Sequence, residues 1–383
     1  MGLLDDVMGD LKKTYKKKND TLIFDPNRQK EFISSGSVIL DINLGGGIAC
    51  RGRLVELFSF ESGGKTTLAL QSCVQAIKKY PDKVVLFFDQ EGHADIEYMN
   101  SLGLEIGDNF QIFQPDSAEE VEDITTRFIK KMPDNISMIV YDSVAAIRPS
   151  SMAEHMHGES NQKAGHAFFW TDFSPKINNW AKKHDIAFLL INQLRAKPQI
   201  GSMDKFSIGN TGMGAGFSNT DSSFNTTGGT ALKFYLSARY VLRHVSDVKE
   251  QTEDEITGEL IDSKVAKKYK VQNVKNKLTR PHRESNYIIR YGQGTDDSIL
   301  IRDILTDAKV ITNSGSFINY QSSDGTLDFK ENGKIKFMIR FCTPDILADA
   351  TKQYITLKSG SEIEVNGDGA SANEDGIEEQ LNL

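Results

Sequence analysis

The segment 59–66, Ser-Phe-Glu-Ser-Gly-Gly-Lys-Thr, places a lysine and a hydroxyl residue directly after two glycines. In the pattern Gly-x-x-x-x-Gly-Lys-Ser/Thr, backbone N–H groups hold phosphates at a helix N-terminus, the lysine reaches the β- and γ-phosphates, and the hydroxyl holds Mg²⁺. Gly64, Lys65 and Thr66 match this pattern, whereas Ser59 stands in place of its first glycine. The segment predicts a nucleotide site, and the alternative is an ordinary helix start with a surface lysine.

Three other polar residues follow apolar runs of the kind that form buried strands: Glu91, Asp142 and Gln193. Because the carboxyl ends of parallel strands meet at one edge of a sheet, we expect all three beside the phosphate loop. Asp142 is placed to order Mg²⁺ or its water shell, and Glu91 to polarise a water that attacks the γ-phosphate. The uncharged amide of Gln193 suits a group that reports whether the γ-phosphate is present. The alternatives are a turn former or helix cap at Asp142 and a solvated acid at Glu91.

Near-continuous apolar runs alternate with helix-like segments through the middle of the chain. The strand candidates are residues 53–58, 84–88, 138–141 and 186–191. Such runs suit strands that are buried on both faces of a parallel sheet, and the segments between them complete a βαβ alternation. A helix is predicted over residues 67–77, directly after the phosphate loop. The predicted fold class is therefore α/β with a mainly parallel sheet.

The composition is that of a chain with a sizeable core and no membrane span. Hydrophobic residues make up 39% of its 383 residues, and 45 Lys and Arg against 53 Asp and Glu give a net charge of −8. The longest apolar runs fall well short of the ~20 residues needed to cross a membrane. Cys50, Cys73 and Cys342 are odd in number and far apart, which favours reduced thiols. No targeting segment is evident, so a soluble, cytoplasmic protein is predicted.

Composition and periodicity predict four parts. An N-terminal helical segment (1–34) precedes an α/β core (35–294), a small α+β domain (295–358) and an acidic tail (359–383). The tail contains seven acids and no Lys or Arg, which predicts a solvated, disordered segment. Because the tail carries most of the negative charge, the acidic total does not exclude a nucleic-acid partner.

Between residues 194 and 230 the hydrophobic periodicity disappears, and Gly, Ser, Asn and Thr accumulate. A stretch of this length without regular structure is usually functional or disordered. Single-stranded nucleic acid is held by positive grooves with side chains that stack on or separate bases. Basic and aromatic residues suited to that task are Arg195, Lys197, Lys205, Phe206, Phe217 and Phe224. Taken alone, the composition favours a flexible connection, with DNA binding as the alternative.

Five segments together resemble the RecA family of bacterial recombinases, and they occur in the family's order within residues 37–320. They are Glu-Ser-Gly-Gly-Lys-Thr-Thr-Leu-Ala-Leu (61–70), Asp-Ser-Val-Ala-Ala (142–146), Asn-Gln-Leu-Arg (192–195), Thr-Thr-Gly-Gly-Thr-Ala-Leu-Lys-Phe-Tyr (226–235) and Val-Lys-Asn-Lys (274–277). The fourth segment is far more specific than a phosphate loop. The chain is identified as a divergent member, bacterial or phage-encoded, and the resemblance implies the RecA-like ATPase fold.

The resemblance implies roles that residue spacing alone does not give. Glu91 matches the family's catalytic glutamate, and Gln193 matches the glutamine that couples the γ-phosphate to the DNA-binding loop after it. Lys275 and Lys277 match lysines that reach the ATP of the adjacent subunit in a filament, whereas alone they are two basic residues on one strand face. The implied nucleotide contacts are Ser59, Glu61, Ser62, Gly63, Gly64, Lys65, Thr66, Thr67, Asp95 and Tyr98, and Thr66 and Asp142 are the implied Mg²⁺ ligands.

On this resemblance the stretch after Gln193 becomes a DNA-binding loop, longer than in bacterial members, with Gly228 and Gly229 as further DNA contacts. The implied function is that of an ATP- and Mg²⁺-dependent recombinase that forms helical filaments on single-stranded DNA and exchanges strands with homologous duplex DNA during recombination and repair. Single-strand-binding and loader proteins are implied as further partners.

Two other functions stay open. A ring-forming helicase or motor can be built on the same ATPase core, and closed hexamers on DNA would identify it. A non-catalytic DNA-binding mediator would carry a decayed nucleotide site, which the substitution at Ser59 favours. The following five residues are all present, which argues against such decay: Lys65, Thr66, Glu91, Asp142 and Gln193.

Overall fold

The computed structural model describes residues 29–150, 159–194, 226–253 and 260–365. The chain divides into two compact units, residues 1–296 and 297–383. Within the described residues, no helix combines the length and apolar character needed to cross a membrane.

The first unit contains two sheets and six α-helices among its described residues. In chain order the strands are β1 (Phe32–Ile33), β2 (Ala49–Cys50), β3 (Leu54–Ser59), β4 (Val84–Asp89), β5 (Phe110–Phe113), β6 (Ile136–Asp142), β7 (Ala187–Gln193), β8 (Ala238–Glu253), β9 (Leu260–Asn276), β10 (Glu284–Arg290) and β11 (Gly294–Thr295). The helices are α1 (Val38–Leu44), α2 (Lys65–Lys79), α3 (Ile96–Ser101), α4 (Ala118–Lys131), α5 (Glu159–His184) and α6 (Gly229–Tyr235), with a 3₁₀ turn at Pro133–Asn135.

Nine strands form the central sheet in the order β11-β10-β9-β8-β3-β7-β6-β4-β5. The pairs from β8 through β3 to β5 are parallel, whereas β8, β9, β10 and β11 pair antiparallel. The predicted α/β fold with a mainly parallel sheet is therefore confirmed. The four predicted strands correspond to β3, β4, β6 and β7, and α2 extends the predicted helix by two residues at each end.

The parallel strands have nearly continuous apolar sequences because they are buried on both faces of the sheet. Every residue of β3, β4 and β6 is buried. Successive side chains point to opposite faces of a strand, so Leu54 and Val55 belong to two separate hydrophobic cores. One core includes Leu68 of α2, and the other includes Trp170 and Phe173 of α5. Helices on both faces thus hold the carboxyl ends of the parallel strands in fixed positions.

The second unit is a small α+β structure. Its elements are α7 (Ser298–Asp307), β12 (Ile311–Ser314), β13 (Phe317–Tyr320), β14 (Phe329–Asn332), α8 (Lys334–Phe341) and α9 (Pro344–Val365). The three strands form an antiparallel sheet in sequence order. Tyr320, Phe329, Phe337 and Phe341 pack together as its aromatic core.

The end of α9 corrects the predicted start of the acidic tail. The tail was expected from residue 359, but the helix continues to Val365. The Ser359 hydroxyl donates to the carbonyl oxygen of Ile355 at 3.0 Å, the contact of a residue with the preceding helical turn. The prediction took acidic composition as a sign of disorder, although acids are compatible with a helix. The remaining tail residues, 366–383, lie outside the described residues, as do residues 1–28 of the predicted N-terminal helical segment.

Candidate functional site

The phosphate loop joins the carboxyl end of β3 to the start of α2. Gly64, at φ 74°, is the residue before the helix, so a left-handed backbone conformation turns the chain into α2. Lys65 Nζ donates to Ser59 Oγ at 2.9 Å and to the Phe60 carbonyl oxygen at 3.0 Å. Burial lowers the pKa of Lys65, and the nearby carboxylates of Asp142, Glu91 and Glu61 oppose that shift. The lysine is thus held by the loop itself, with acids close by.

Ser59 has a definite place in this loop. Its side chain is buried and its hydroxyl donates to the Phe60 carbonyl oxygen at 2.6 Å while accepting from Lys65. A Cβ atom on Gly63 would lie 1.9 Å from Ser59 Oγ, so the serine requires a glycine at position 63. Loss of the first glycine of the phosphate-loop pattern is therefore accommodated without loss of the loop.

Thr66 and Asp142 are brought together as expected. Thr66 Oγ1 donates to Asp142 Oδ2 at 2.7 Å. Burial raises the pKa of Asp142 to about 6, the hydrogen bond from Thr66 acts in the opposite direction, and Glu91 adds to the increase. Asp142 is therefore still mainly a carboxylate at neutral pH, and the positive charge of Lys65 favours that form.

The Thr66–Asp142 pair fits Mg²⁺ bound together with a nucleotide. Mg²⁺ is usually held through one or two carboxylates plus substrate phosphates, and it keeps several waters. The described residues contain no cluster of three or more His, Cys, Asp or Glu that could hold a metal. A hydroxyl and a carboxylate at the end of a phosphate loop instead suit an ion that takes its other ligands from phosphates and water.

Glu91 lies at the same edge of the sheet, two residues after β4. Its Oε1 atom accepts from Ser143 Oγ at 2.6 Å and from Gln193 Nε2 at 2.9 Å. Ser143 follows β6 and Gln193 ends β7. Residues from these two strands therefore donate to one carboxylate oxygen of the acid that follows the neighbouring β4. Two side-chain hydrogen bonds to Oε1 thus fix the orientation of the Glu91 carboxylate.

Asp89, which the sequence analysis did not select, fixes the loop that carries Glu91. Its carboxylate accepts from the backbone N–H of Gly92 at 2.9 Å and of Ala94 at 2.8 Å, and from Gln114 Nε2 at 3.0 Å. The side chain is buried. A buried carboxylate with three donors orients the loop rather than reacting. Its position as the last residue of an apolar run was the available signal.

Asp95 and Tyr98 lie beside the phosphate-loop helix. Asp95 caps α3 by accepting from the Tyr98 backbone N–H at 3.1 Å, and Tyr98 Oη donates to Thr67 Oγ1 at 2.9 Å. Tyr269 of β9, which the sequence analysis also missed, reaches the Ser62 carbonyl oxygen at 3.4 Å, so it supports the loop from the antiparallel side of the sheet. These contacts place Asp95 and Tyr98, two of the implied nucleotide contacts, close to the phosphate-loop helix but assign them no ligand.

Lys275 and Lys277 are not brought to the phosphate loop of their own chain. Lys275 is paired with Arg239 of β8, which is paired with Glu56 of β3, and the Lys277 backbone N–H donates to the Ser237 carbonyl oxygen. Glu56 lies three residues before Ser59, roughly 10 Å along the strand, and β9 is two strands, roughly another 10 Å, to the side. Lys275 is therefore level with the middle of β3, and Lys277 lies nearer the amino end of that strand.

The predicted DNA contacts are only partly described. Arg195, Lys197, Lys205, Phe206, Phe217 and Phe224 lie outside the described residues. The residues on either side of this gap, Leu194 and Thr226, form an antiparallel bridge. Gly228, at φ 94°, precedes α6, and a Cβ there would lie 2.6 Å from Leu232. Gly228 is thus needed to start α6, whether or not it also contacts DNA.

The fold and the phosphate loop define a phosphate-loop α/β nucleotide-binding protein. The sequence matches the model of the RecA N-terminal domain over residues 3–296. It is 34% identical to Protein RecA of Acinetobacter baumannii over 293 residues, which are 76% of this chain and 74% of that protein. Protein RecA of Nitratiruptor sp. is 35% identical over 291 residues (76% and 75%), and that of Borrelia hermsii is 33% identical over 310 residues (81% and 78%). The chain belongs to the RecA family.

Proposed function

We propose that the protein is an ATP-dependent DNA recombinase. It binds ATP, forms a helical filament on single-stranded DNA, pairs that DNA with a homologous duplex and exchanges strands. The observation that carries this proposal is the contact between Gln193 and Glu91, because Gln193 is also the last residue of β7 before the long segment with basic and aromatic residues. One amide thus links the candidate water-activating group to the candidate DNA-binding segment.

In the proposed hydrolysis, a water attacks the γ-phosphorus. The bond between the γ-phosphorus and the β–γ bridging oxygen breaks, and ADP and phosphate leave. Glu91 accepts the proton of the attacking water. Lys65 balances charge on the phosphates, and the backbone N–H groups at the start of α2 bind them. Thr66 and Asp142 would hold Mg²⁺, which supplies further charge neutralisation of the phosphates when bound.

Lys275 and Lys277 act in trans in this proposal. Their distance from the loop of their own chain leaves them without a role there, whereas stacking of subunits in a filament brings the lysines of one subunit to the loop of the next. A head-to-tail interface that does not close into a ring generates such a filament. The catalytic site is then complete only within the assembly, which makes hydrolysis depend on filament formation.

The most direct test is D-loop formation by the purified protein with Mg²⁺-ATP, a single-stranded oligonucleotide and a homologous supercoiled duplex. We expect joint molecules with the homologous duplex and none with a heterologous one. Lys65→Ala is expected to abolish them, and joint molecules that survive this substitution would contradict the mechanism. Negative-stain microscopy of the same mixtures should reveal filaments, whereas closed hexamers would support a helicase or motor instead.

A further inference from the structure

A buried charged pair lies beside Thr226, the first described residue after the segment 195–225. Glu56 of β3 and Arg239 of β8 have no exposed surface, and Arg239 Nε donates to Glu56 Oε2. The guanidinium carbon also lies 4.7 Å from the ring centre of Phe58. Glu56 interrupts an apolar strand, and both residues lie on neighbouring strands at the centre of the sheet.

Asn192 connects this pair to both sides of the segment. Its Nδ2 donates to Glu56 Oε1 at 2.7 Å and to the Thr227 carbonyl oxygen at 2.9 Å. Its Oδ1 accepts from the Gln193 backbone N–H at 2.8 Å and from the Thr227 hydroxyl. The buried Asn192 side chain therefore contacts both Gln193, which donates to Glu91, and Thr227, which follows the segment 195–225.

Arg239 makes a second connection to the returning chain. Its Nη2 donates to Thr226 Oγ1 at 2.9 Å, and Thr226 is itself bridged to Leu194. The two ends of the segment are thus tied to each other by backbone and side-chain contacts. The side-chain contacts lead to the Glu56 carboxylate, either through Arg239 or through Asn192.

Stability alone does not account for this arrangement. A buried ion pair is often no more stabilising than apolar side chains of the same size, because desolvation of the charges offsets their attraction. What the pair does provide is directional contacts: two oxygens of one carboxylate each fix one polar side chain. Both of those side chains contact the returning residues 226 and 227.

We infer that Glu56, Asn192 and Arg239 are positioning residues. They couple the position of Thr226 and Thr227, the first described residues after the segment 195–225, to the position of Gln193. This inference rests on the proposed function, in which Gln193 responds to the γ-phosphate. The segment between is then presented to DNA from two ends that move together. Loss of the side-chain contacts of Thr226 and Thr227 is expected to leave nucleotide binding intact. It is expected to remove the dependence of DNA affinity on the bound nucleotide.

The test uses matched substitutions at the returning end, which avoid removing a member of the buried ion pair. Thr226→Val with Thr227→Val deletes both hydroxyls at nearly constant volume, and Thr226→Ser with Thr227→Ser keeps them. Affinity for a fluorescent oligo-dT is measured by anisotropy with Mg²⁺ and either a non-hydrolysable ATP analogue or ADP. We expect the Val pair to lower the ratio of the two affinities about tenfold, and the Ser pair to keep it within about twofold of wild type. Thr230→Val on the exposed first turn of α6 is the control.

Two further measurements separate the possible outcomes. Equal binding of a fluorescent ATP analogue and equal melting temperatures for the Val and Ser pairs would exclude a merely structural loss. If wild type binds DNA equally with both nucleotides, the proposed function itself fails. If wild type discriminates between them and the Val pair discriminates as well, the proposed function survives and the positioning role is wrong. Asn192→Ser should reproduce the Val result, since it removes the amide that joins Gln193 to Thr227.

Discussion

Gln193 Nε2 donates to Glu91 Oε1 at 2.9 Å, so the last side chain of β7 holds the acid that follows β4. Ser143 Oγ donates to the same oxygen at 2.6 Å. The carboxylate is therefore oriented from two neighbouring strands before any substrate is considered. An acid held in this way has one oxygen in a fixed direction, which is the condition for general base catalysis at a set position.

Replacement of Glu91 by glutamine tests this role. Glu91→Gln keeps an oxygen that accepts from Ser143 and Gln193 but removes the base. We expect the ATP hydrolysis rate to fall about 10²- to 10⁴-fold, with ATP affinity within a few-fold of wild type. Steady-state phosphate release and equilibrium binding of a fluorescent ATP analogue measure the two quantities.

The control for that substitution is Glu97→Gln, an exposed acid in the first turn of α3. It removes the same charge from a neighbouring element and is expected to leave hydrolysis unchanged. Equal loss of activity in the two variants would mean that Glu91 acts only through the net charge near the site.

The packing of Ser59 against Gly63 predicts a compensating pair of substitutions. Gly63→Ala places a Cβ 1.9 Å from Ser59 Oγ, and we expect weaker ATP binding and a stability loss of roughly 1–3 kcal/mol. Ser59→Gly removes the clashing atoms, so the double variant should recover most of both losses. Denaturant unfolding and ATP titration of the four proteins form a double-mutant cycle. Strictly additive effects would show that the two residues do not contact each other.

Completion of the site in trans predicts recovery of activity in mixtures. Lys65→Ala has a defective phosphate loop and retains Lys275 and Lys277. The double variant Lys275→Ala and Lys277→Ala has an intact phosphate loop and lacks both of these lysines. We expect neither to hydrolyse ATP, and an equimolar mixture to show about a quarter of wild-type activity, because that share of random head-to-tail interfaces joins an intact loop to intact lysines. DNA-dependent phosphate release on oligo-dT is the measurement.

A second mixture controls for that experiment. Lys65→Ala and Glu91→Gln are both defective on the loop side, so mixing them rebuilds no complete interface. Recovery only in the first mixture supports a shared site. Equal activity in both mixtures would contradict the assignment of Lys275 and Lys277 to a neighbouring subunit.

Asp349 is expected to stabilise the second unit in a pH-dependent way. Its buried carboxylate accepts from Tyr320 Oη, Ser323 and Gln353. Burial acts to raise its pKa, but these hydrogen bonds outweigh burial and lower the pKa below its ordinary value of 3.8. The contribution is therefore present above pH 3.8 and is lost as the pH falls through the lowered pKa.

Asp349→Asn should accordingly destabilise the second unit by about 1–3 kcal/mol at neutral pH, and the difference from wild type should shrink below pH 3.8. Hydrogen exchange resolved to residues 297–365 measures the local free energy of opening. Asp345→Asn, at the exposed start of α9, should change it by no more than about 0.5 kcal/mol. A difference that persists unchanged in acid would assign the effect to packing instead.

The sequence was informative at two polar residues that end apolar runs. Asp142 and Gln193 were predicted to meet at one sheet edge because parallel strands bring their carboxyl ends together, and the structure has both there. The contact of Thr66 with Asp142 followed from the same reasoning. The separation of Lys275 from its own loop was not predictable from spacing, since it depends on the pairing of β8 between β3 and β9.

The buried pair of Glu56 and Arg239 was missed for a different reason. The two residues are 183 positions apart, and no local pattern relates them. A signal did exist: Glu56 is an acid inside a continuous apolar run, and acids are almost never fully buried without a partner. That signal indicates a partner's existence but not its identity, which only the strand order supplies.

The bridge between Leu194 and Thr226 also bears on how many residues the chain can carry between these two positions. Once the two ends of a segment are joined, each doubling of the length between them adds only about 0.6 kcal/mol of closure entropy. The sheet edge therefore places little restriction on the number of residues inserted there. A peptide tag or a fluorescent reporter inserted in this segment is therefore expected to leave β7 and α6 intact.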